Sequence, residues 1–260
     1  MSGAVQTRTN DATHMRCQSK SIFFLENVRK AREKGGVRFE LRIPFFVVDQ
    51  GQFVALVGQS GCGKSTMLDM LALVLRATSA DQFLLRVGCQ GRLTEQDVIG
   101  LNDRDLASIR RTQMGYVLQS GGLLPFLTVR ENILLTCHLN GLDERQIGLD
   151  HLAEQLGITD QLGKKPRYLS GGQRQRAAIA RALAHRPPIV LADEPTAAAD
   201  KLTAIEIRES FKALTKQMGV TLLMVTHDEA LIAGSVDRTF GFIVEEGDRS
   251  HTISTLMERT

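Results

Sequence analysis

The sequence predicts an α/β fold in which a buried parallel sheet carries a small antiparallel β layer and a helical subdomain. Three observations carry this. The runs FVALVG (53–58), IVLADE (189–194) and LLMVTH (222–227) are nearly continuous apolar stretches, the pattern of strands covered on both faces. Helical patterns accompany them, through Met67, Leu68, Leu71 and Leu75 and again from Ala204 to Gln217. Short strand-like runs cluster ahead of the first of the three.

Taken in order, residues 1–20 are polar and aperiodic and read as a loose tail. They hold no apolar core, so no secretory signal is expected. Residues 21–260 read as the folded domain. SIFFLENV, VRFELRI and PFFVV fit three short strands, with a hairpin turn at Lys34-Gly35-Gly36. The strand Phe53–Val57 follows, then glycines and a helix. Leu84 to Gly88 fits an edge strand. From Asn102 to Leu162 the pattern is mostly helical, giving an inserted helical subdomain over about 102–165. EQLGITDQLGKKP breaks that region from the strand–helix alternation that resumes at PIVLADE.

The 260 residues make one to two domains at about 150 residues each. With 32 basic and 29 acidic residues the net charge is +3, too balanced for a chain that binds nucleic acid mainly by charge. No nucleic-acid partner is expected. Cys17, Cys62, Cys89 and Cys137 are scattered with no CxxC pair, which argues against a zinc site or disulfide framework and for a reducing cytoplasm. No stretch approaches about 20 continuous apolar residues, so no membrane span is expected.

Chemistry concentrates in three places. Gly58-Gln59-Ser60-Gly61-Cys62-Gly63-Lys64-Ser65-Thr66 matches GxxxxGK[ST] between a buried strand and a helix start. Its backbone N–H groups suit phosphate oxygens, Lys64 suits the β/γ-phosphates, and the Ser65 hydroxyl suits Mg²⁺. Asp193 and Glu194 end an apolar strand, where α/β sheets bind ligands. Asp193 suits a metal contact and Glu194 a general base for water. Ser170-Gly171-Gly172-Gln173 is a serine-capped helix start, and thus a second anion site. One phosphate loop and one further phosphate-binding helix end per chain imply a nucleotide shared with a partner.

Those residues carry a resemblance. LSGGQRQRAAIARAL is similar to the signature sequence of ABC-type ATPase subunits, and the motif order agrees over about Ser21 to Val244. The resemblance implies a P-loop NTPase domain of the ABC type. It implies ATP and Mg²⁺ as ligands, and a homodimer or paired subunit closing around two ATP–Mg²⁺. Gln119, 55 residues after Lys64, matches the family's Q-loop glutamine, a further metal contact. His227, 33 residues after Glu194, matches the switch histidine. Asp200 matches the D-loop, although Ala197-Ala198-Ala199 departs from its usual pattern. LADEPT and Leu123 to Pro125 resemble the subfamily of lipoprotein-release, macrolide-export and cell-division ATPases. The resemblance further implies an integral membrane permease docked near Gln119, which holds the chain at the cytoplasmic face of the membrane. A rival reading is a soluble ABC ATPase acting on DNA or ribosomes; the chain's short motif spacing and single cassette argue against it.

Two further expectations follow. Arg174, Arg176 and Arg181 read as a solvated, carboxylate-paired helix face. Family members usually place an adenine-stacking aromatic about 20 residues before the Gly51-Gln52 turn, but that count lands on Ala31 or Arg32. Base stacking is worth about 1–3 kcal/mol, so its loss implies weaker ATP binding and little discrimination between ATP and GTP. The Arg32 guanidinium offers partial compensation over the purine.

Overall fold

The computed structural model describes residues 20–89, 92–197, 201–232, 234–246 and 251–259. One ten-stranded sheet runs through it in the order β5-β4-β1-β2-β10-β9-β3-β8-β7-β6. Toward one end β3 (Phe53–Val57), β8 (Thr221–Thr226), β7 (Ile189–Asp193) and the edge strand β6 (Met114–Val117) lie parallel to their neighbours. Every residue of β3 and β8 is buried, which is why these runs lack polar alternation.

The period-two geometry of a strand splits β3 between two cores. Phe53, Ala55 and Val57 pack with the apolar side of α6 (Gly171–Leu183). Val54 and Leu56 face the other way, onto Met67, Leu68 and Leu71 of α1 (Lys64–Leu71) and onto the antiparallel layer. Burying both faces forces the polar ends of these strands to one edge of the sheet, where the motifs lie.

The antiparallel layer is simpler than its sequence suggests. β1 (Ser21–Lys34) and β2 (Val37–Asp49) form one long hairpin. It turns at Gly35 and Gly36, whose φ values of 60° and 77° suit glycine. VRFELRI and PFFVV are therefore one strand, with Pro44 inside it. Proline is tolerated there because β10 (His251–Arg259) pairs with β2 only up to Arg42. On the other side Asn27 stands opposite Pro44 at φ 49° and the two make no ladder pair; a missing N–H at Pro44 breaks nothing. β4 (Gln82–Cys89) pairs with β1, and β5 (Arg92–Asp97) forms the edge. β5, β10 and β9 (Arg238–Glu246) lie where the sequence reading assigned no element.

The stretch from Asn102 to Leu162 is not continuously helical. After α2 (Asp103–Gln113) the four residues of β6 pair in parallel with β7 before the chain leaves the sheet. Helices α3 (Val129–Leu139), α4 (Glu144–Ile147) and α5 (Leu149–Gln155) follow. A four-residue buried strand between helical patterns has too few residues to show a period. Buried Asn132 pins the segment ahead of α3: its Oδ1 accepts from Leu124 N at 2.7 Å, and its amide nitrogen donates to the Leu124, Leu127 and Thr128 carbonyls. On the far side of α6, α7 (Lys201–Met218) leads into β8, and the one-turn α8 (Glu229–Ile232) follows it. Among the described residues no helix is long and apolar enough to cross a membrane.

Gly115 sets how closely α6 approaches β6, since a Cβ there would stand 2.2 Å from the Ala182 carbonyl oxygen. We expect Gly115→Ala to lower unfolding stability by about 1–3 kcal/mol, the cost of overpacking a core. Gly100, with open space around its Cβ position, is the control. Urea midpoints of the two variants check this, and equal midpoints would remove the packing argument.

Candidate active site

β3 ends at Val57 and the chain loops back into α1 through Gly58–Gly63. Gly63 caps that helix with φ 103° and no side-chain hydrogen bond, so the first-turn N–H groups stay free for an anion. A side chain at Gly63 would also collide with the Phe39 ring, whose Cζ stands 2.9 Å from the Cβ position. The buried Lys64 ammonium folds onto its own loop, donating to the Gly58 carbonyl at 2.7 Å and the Gln59 carbonyl at 2.8 Å. Both bonds keep the charge solvated at the position where phosphate oxygens would take over. Cys62 is buried, with its sulfur 2.7 Å from the Cβ position of Gly58. Its carbonyl accepts from the Ser254 hydroxyl at 2.5 Å, which ties the loop to β10.

A cleft of about 520 Å³ opens over this loop. It gathers Ser60, Gly61, Gly63, Lys64, Ser65, Thr66, Gln119, Asp193 and Glu194, with Arg32 and Phe39 at one end. Sequence spacing placed most of these in one site, and the structure brings them together. The Asp193 carboxyl is raised above its usual range, chiefly by burial, with the nearby Ser65 hydroxyl opposing. A hydroxyl and a half-buried carboxylate are hard oxygen donors that suit Mg²⁺. No group of three or more His, Cys, Asp or Glu among the described residues forms a metal cage by itself. That agrees with an ion that takes its other ligands from phosphates and water.

Glu194 has a φ of 43°, a left-handed conformation costing about 1–3 kcal/mol in a non-glycine residue. Its N–H donates to the Val225 carbonyl at 3.0 Å. The strained backbone aims the carboxylate between the other two expected catalytic side chains. Gln119 Nε2 donates to Glu194 Oε2 at 3.0 Å, and His227 Nδ1 stands 3.2 Å from Oε1. Gln119 thus meets Glu194 directly, a contact that motif spacing does not reveal.

The Ser170 helix start stands apart. Ser170, Gly171, Gly172 and Gln173 do not line the cleft. The Ser170 hydroxyl accepts from Gln173 N at 3.2 Å and the Gln173 side chain accepts from Ser170 N at 3.0 Å, a closed capping box. Gly172 packs so tightly on α7 that a Cβ would lie 2.7 Å from the Thr203 methyl. Asp200 falls outside the described residues.

The expected carboxylate-paired arginine face is corrected. Arg176 pairs with Glu206 at 2.8 Å, but Arg174 donates to the Leu169 carbonyl at 2.6 Å. Arg181 donates to the carbonyls of Gly122 and Gly121 at 2.6 and 3.0 Å, and burial lowers its pKa. These arginines tie the helix to neighbouring loops. The absent aromatic is also explained. Ala31 pairs with Glu40 and Arg32 with Phe39, so Arg32 and Phe39 share the cleft face of the hairpin. A ring reaches the cleft from the second strand at Phe39, eight residues past Ala31 and seven past Arg32. Alternation along β2 was the available signal.

Residues 44–197 match the family described as ABC transporter, more than half of the chain. The lipoprotein-releasing system ATP-binding protein LolD of Porphyromonas gingivalis is 35% identical over 209 residues, covering 80% of this chain and 91% of that one. An uncharacterised ABC transporter ATP-binding protein of Thermotoga maritima is 41% identical over 216 residues, covering 82% and 88%. Among solved structures, the ATP-binding cassette MJ0796, a dimer in a post-hydrolysis state with ADP and phosphate, superposes with a TM-score of 0.68 at 33% identity, covering 84% of this chain and 93% of that one. The relatives are transporter components, so an ATPase acting on DNA or ribosomes is not favoured. With its phosphate loop, strand-end carboxylates and capped signature helix, the chain belongs to the ABC transporter family, as an ATP-binding and ATP-hydrolysing subunit.

Proposed function

We propose that two copies close face to face, each nucleotide bound by the Lys64 loop of one and the Ser170 helix of the other. The observation that carries this is the exclusion of Ser170–Gln173 from the cleft that Lys64, Asp193 and Glu194 line: each chain holds half of two sites. Lys64 exchanges its two carbonyl partners for phosphate oxygens. Ser65 and Asp193, with Gln119, would hold Mg²⁺, which supplies charge neutralisation on the phosphates. Glu194 accepts a proton from the attacking water as the bond to the γ-phosphoryl breaks, and His227 and Gln119 fix the carboxylate that does so.

A second cleft of about 520 Å³ lies between α2, β6, α3 and α6. It is mainly apolar, with Leu124, Leu135 and Leu139 in its wall and Arg110, Arg111 and Arg181 around it. We infer that it receives a cytoplasmic segment of a membrane permease. Arg181 joins it to Gly121 and Gly122, two and three residues past Gln119, so a push on the groove reaches the site. The likeness to LolD supports a lipoprotein-release or related export system. Phe39 and Arg32 form the base end of the nucleotide cleft, and the ring removes the expected loss of stacking.

Three outcomes test these readings. Lys64→Ala and Ser170→Arg copies should each lose at least about 100-fold in ATPase activity alone. Mixed, they regain activity through the single intact composite site; heterodimers that form and stay inactive would sink the shared-site reading. Leu139→Asp should leave ATP hydrolysis by the isolated subunit unchanged and abolish co-purification with a membrane protein in mild detergent; retained co-purification would move the docking site elsewhere. Phe39→Leu keeps the apolar contact with Gly63 and removes the ring, so ATP affinity should fall roughly 5- to 150-fold, checked by calorimetric titration. An unchanged affinity would place the base elsewhere.

A further inference from the structure

Tyr116 is a half-buried phenol on the wall of the apolar groove, and neither hydrolysis nor docking accounts for the contact its hydroxyl makes. It lies on β6 opposite Leu191 of β7, so its side chain shares a sheet face with Asp193, two residues further along. That face packs against α1. Ser65 and Asp69 lie four residues apart on α1, on one side of the helix. Tyr116 Oη donates to Asp69 Oδ1 at 3.1 Å, while Ser65 and Asp193 line the cleft together. Two pairs thus join α1 to the sheet, Ser65 and Asp193 in the cleft and the hydrogen-bonded Asp69 and Tyr116 behind it.

The pairs sense one another. Burial first, then the charges of Asp69 and Asp193, hold the Tyr116 hydroxyl in its protonated form, which keeps its proton available to Asp69. Asp69 sits one helical turn behind Ser65 and is bonded to a tyrosine on the sheet face that carries Asp193, so its charge stands behind the Ser65 and Asp193 pair. Asp193 and Glu194 line the cleft with Asp69 behind them, and a cation in front offsets the repulsion.

We propose that Asp69, oriented by the Tyr116 hydroxyl, is a positioning residue for the cation site: its charge behind Asp193 strengthens the hold on Mg²⁺ and opposes nucleotide that arrives without metal. The proposal rests on the reading of Ser65 and Asp193 as Mg²⁺ ligands. Its signature is a pair of effects of opposite sign. A cation is attracted by the Asp69 charge and metal-free ATP is repelled by it, whereas a packing defect would weaken both together.

The test uses Asp69→Asn, which keeps shape and an acceptor for Tyr116, and Tyr116→Phe, which keeps the ring and removes the donor. ATP affinity is measured in EDTA, and Mg²⁺ half-saturation is then measured at saturating ATP, with Mn²⁺ binding by electron paramagnetic resonance as an independent readout. Asp69→Asn should raise Mg²⁺ half-saturation roughly 10-fold, the lower end of the range for outer partners of a metal site. Tyr116→Phe should shift it less in the same direction. Metal-free ATP affinity should be unchanged or tighter in both. Wild-type Mg²⁺ dependence in both variants, or equal weakening of Mg²⁺ and metal-free ATP, overturns the proposal. Asp193→Asn separates the two levels: if it leaves Mg²⁺ binding intact, the ligand assignment itself fails.

Discussion

The arrangement depends on the double-sided burial of the parallel strands. β3, β8 and β7 have no solvent face, so each can present polar chemistry only where it ends. Because neighbours run parallel, those ends fall on one edge of the sheet. The phosphate loop after Val57, the carboxylates of Asp193 and Glu194, and His227 just past Thr226 all stand there. No side-chain interaction gathers them from a distance; shared strand polarity does. The α1-side core supports the same edge from beneath, since Met67 and Leu68 fix the helix whose first turn meets the phosphates.

Strain is spent at one point of that edge. Glu194 holds a left-handed backbone within an otherwise relaxed strand end, and its N–H is anchored on β8 through Val225. The same residue receives hydrogen bonds or close contacts from Gln119, which follows β6, and from His227, which follows β8. Three strands therefore report to a single carboxylate. Motion in the segment that Asn132 and Arg181 pin can be felt at Glu194 through Gln119 alone, a shorter path than through the core.

How much of this was legible in the sequence differs by kind of residue. Lys64, Ser65, Asp193, Glu194, Gln119 and His227 follow from spacing, because strand polarity converts spacing into proximity. The buried strands were legible because an apolar run bounded by glycine or acid leaves few alternatives. β6 was not, being four residues long beside a helix. Nor was the unity of β2, since Pro44 reads as a break until Asn27 is seen unpaired opposite it. Phe39, Asp69 and Tyr116 stayed hidden for another reason. Each enters the site through a cross-strand or helix–sheet contact, and no motif encodes the partner. The signature arginines misled because an exposed-looking charge pattern is silent about backbone carbonyls within reach.

The seam between β2 and β10 joins residues 38–42 to residues 251–255, and Ser254 of that seam supports the phosphate loop through Cys62. On a chain made from its N-terminus, the hairpin emerges long before its neighbour exists. Until β10 arrives, one flank of β2 presents unpaired backbone groups, and the loop lacks its brace. Contacts of such sequence separation form late and slowly. The nucleotide cleft is thus braced by residues made long after its phosphate loop, and an exposed strand edge during that interval is the sort of surface that chaperones shield.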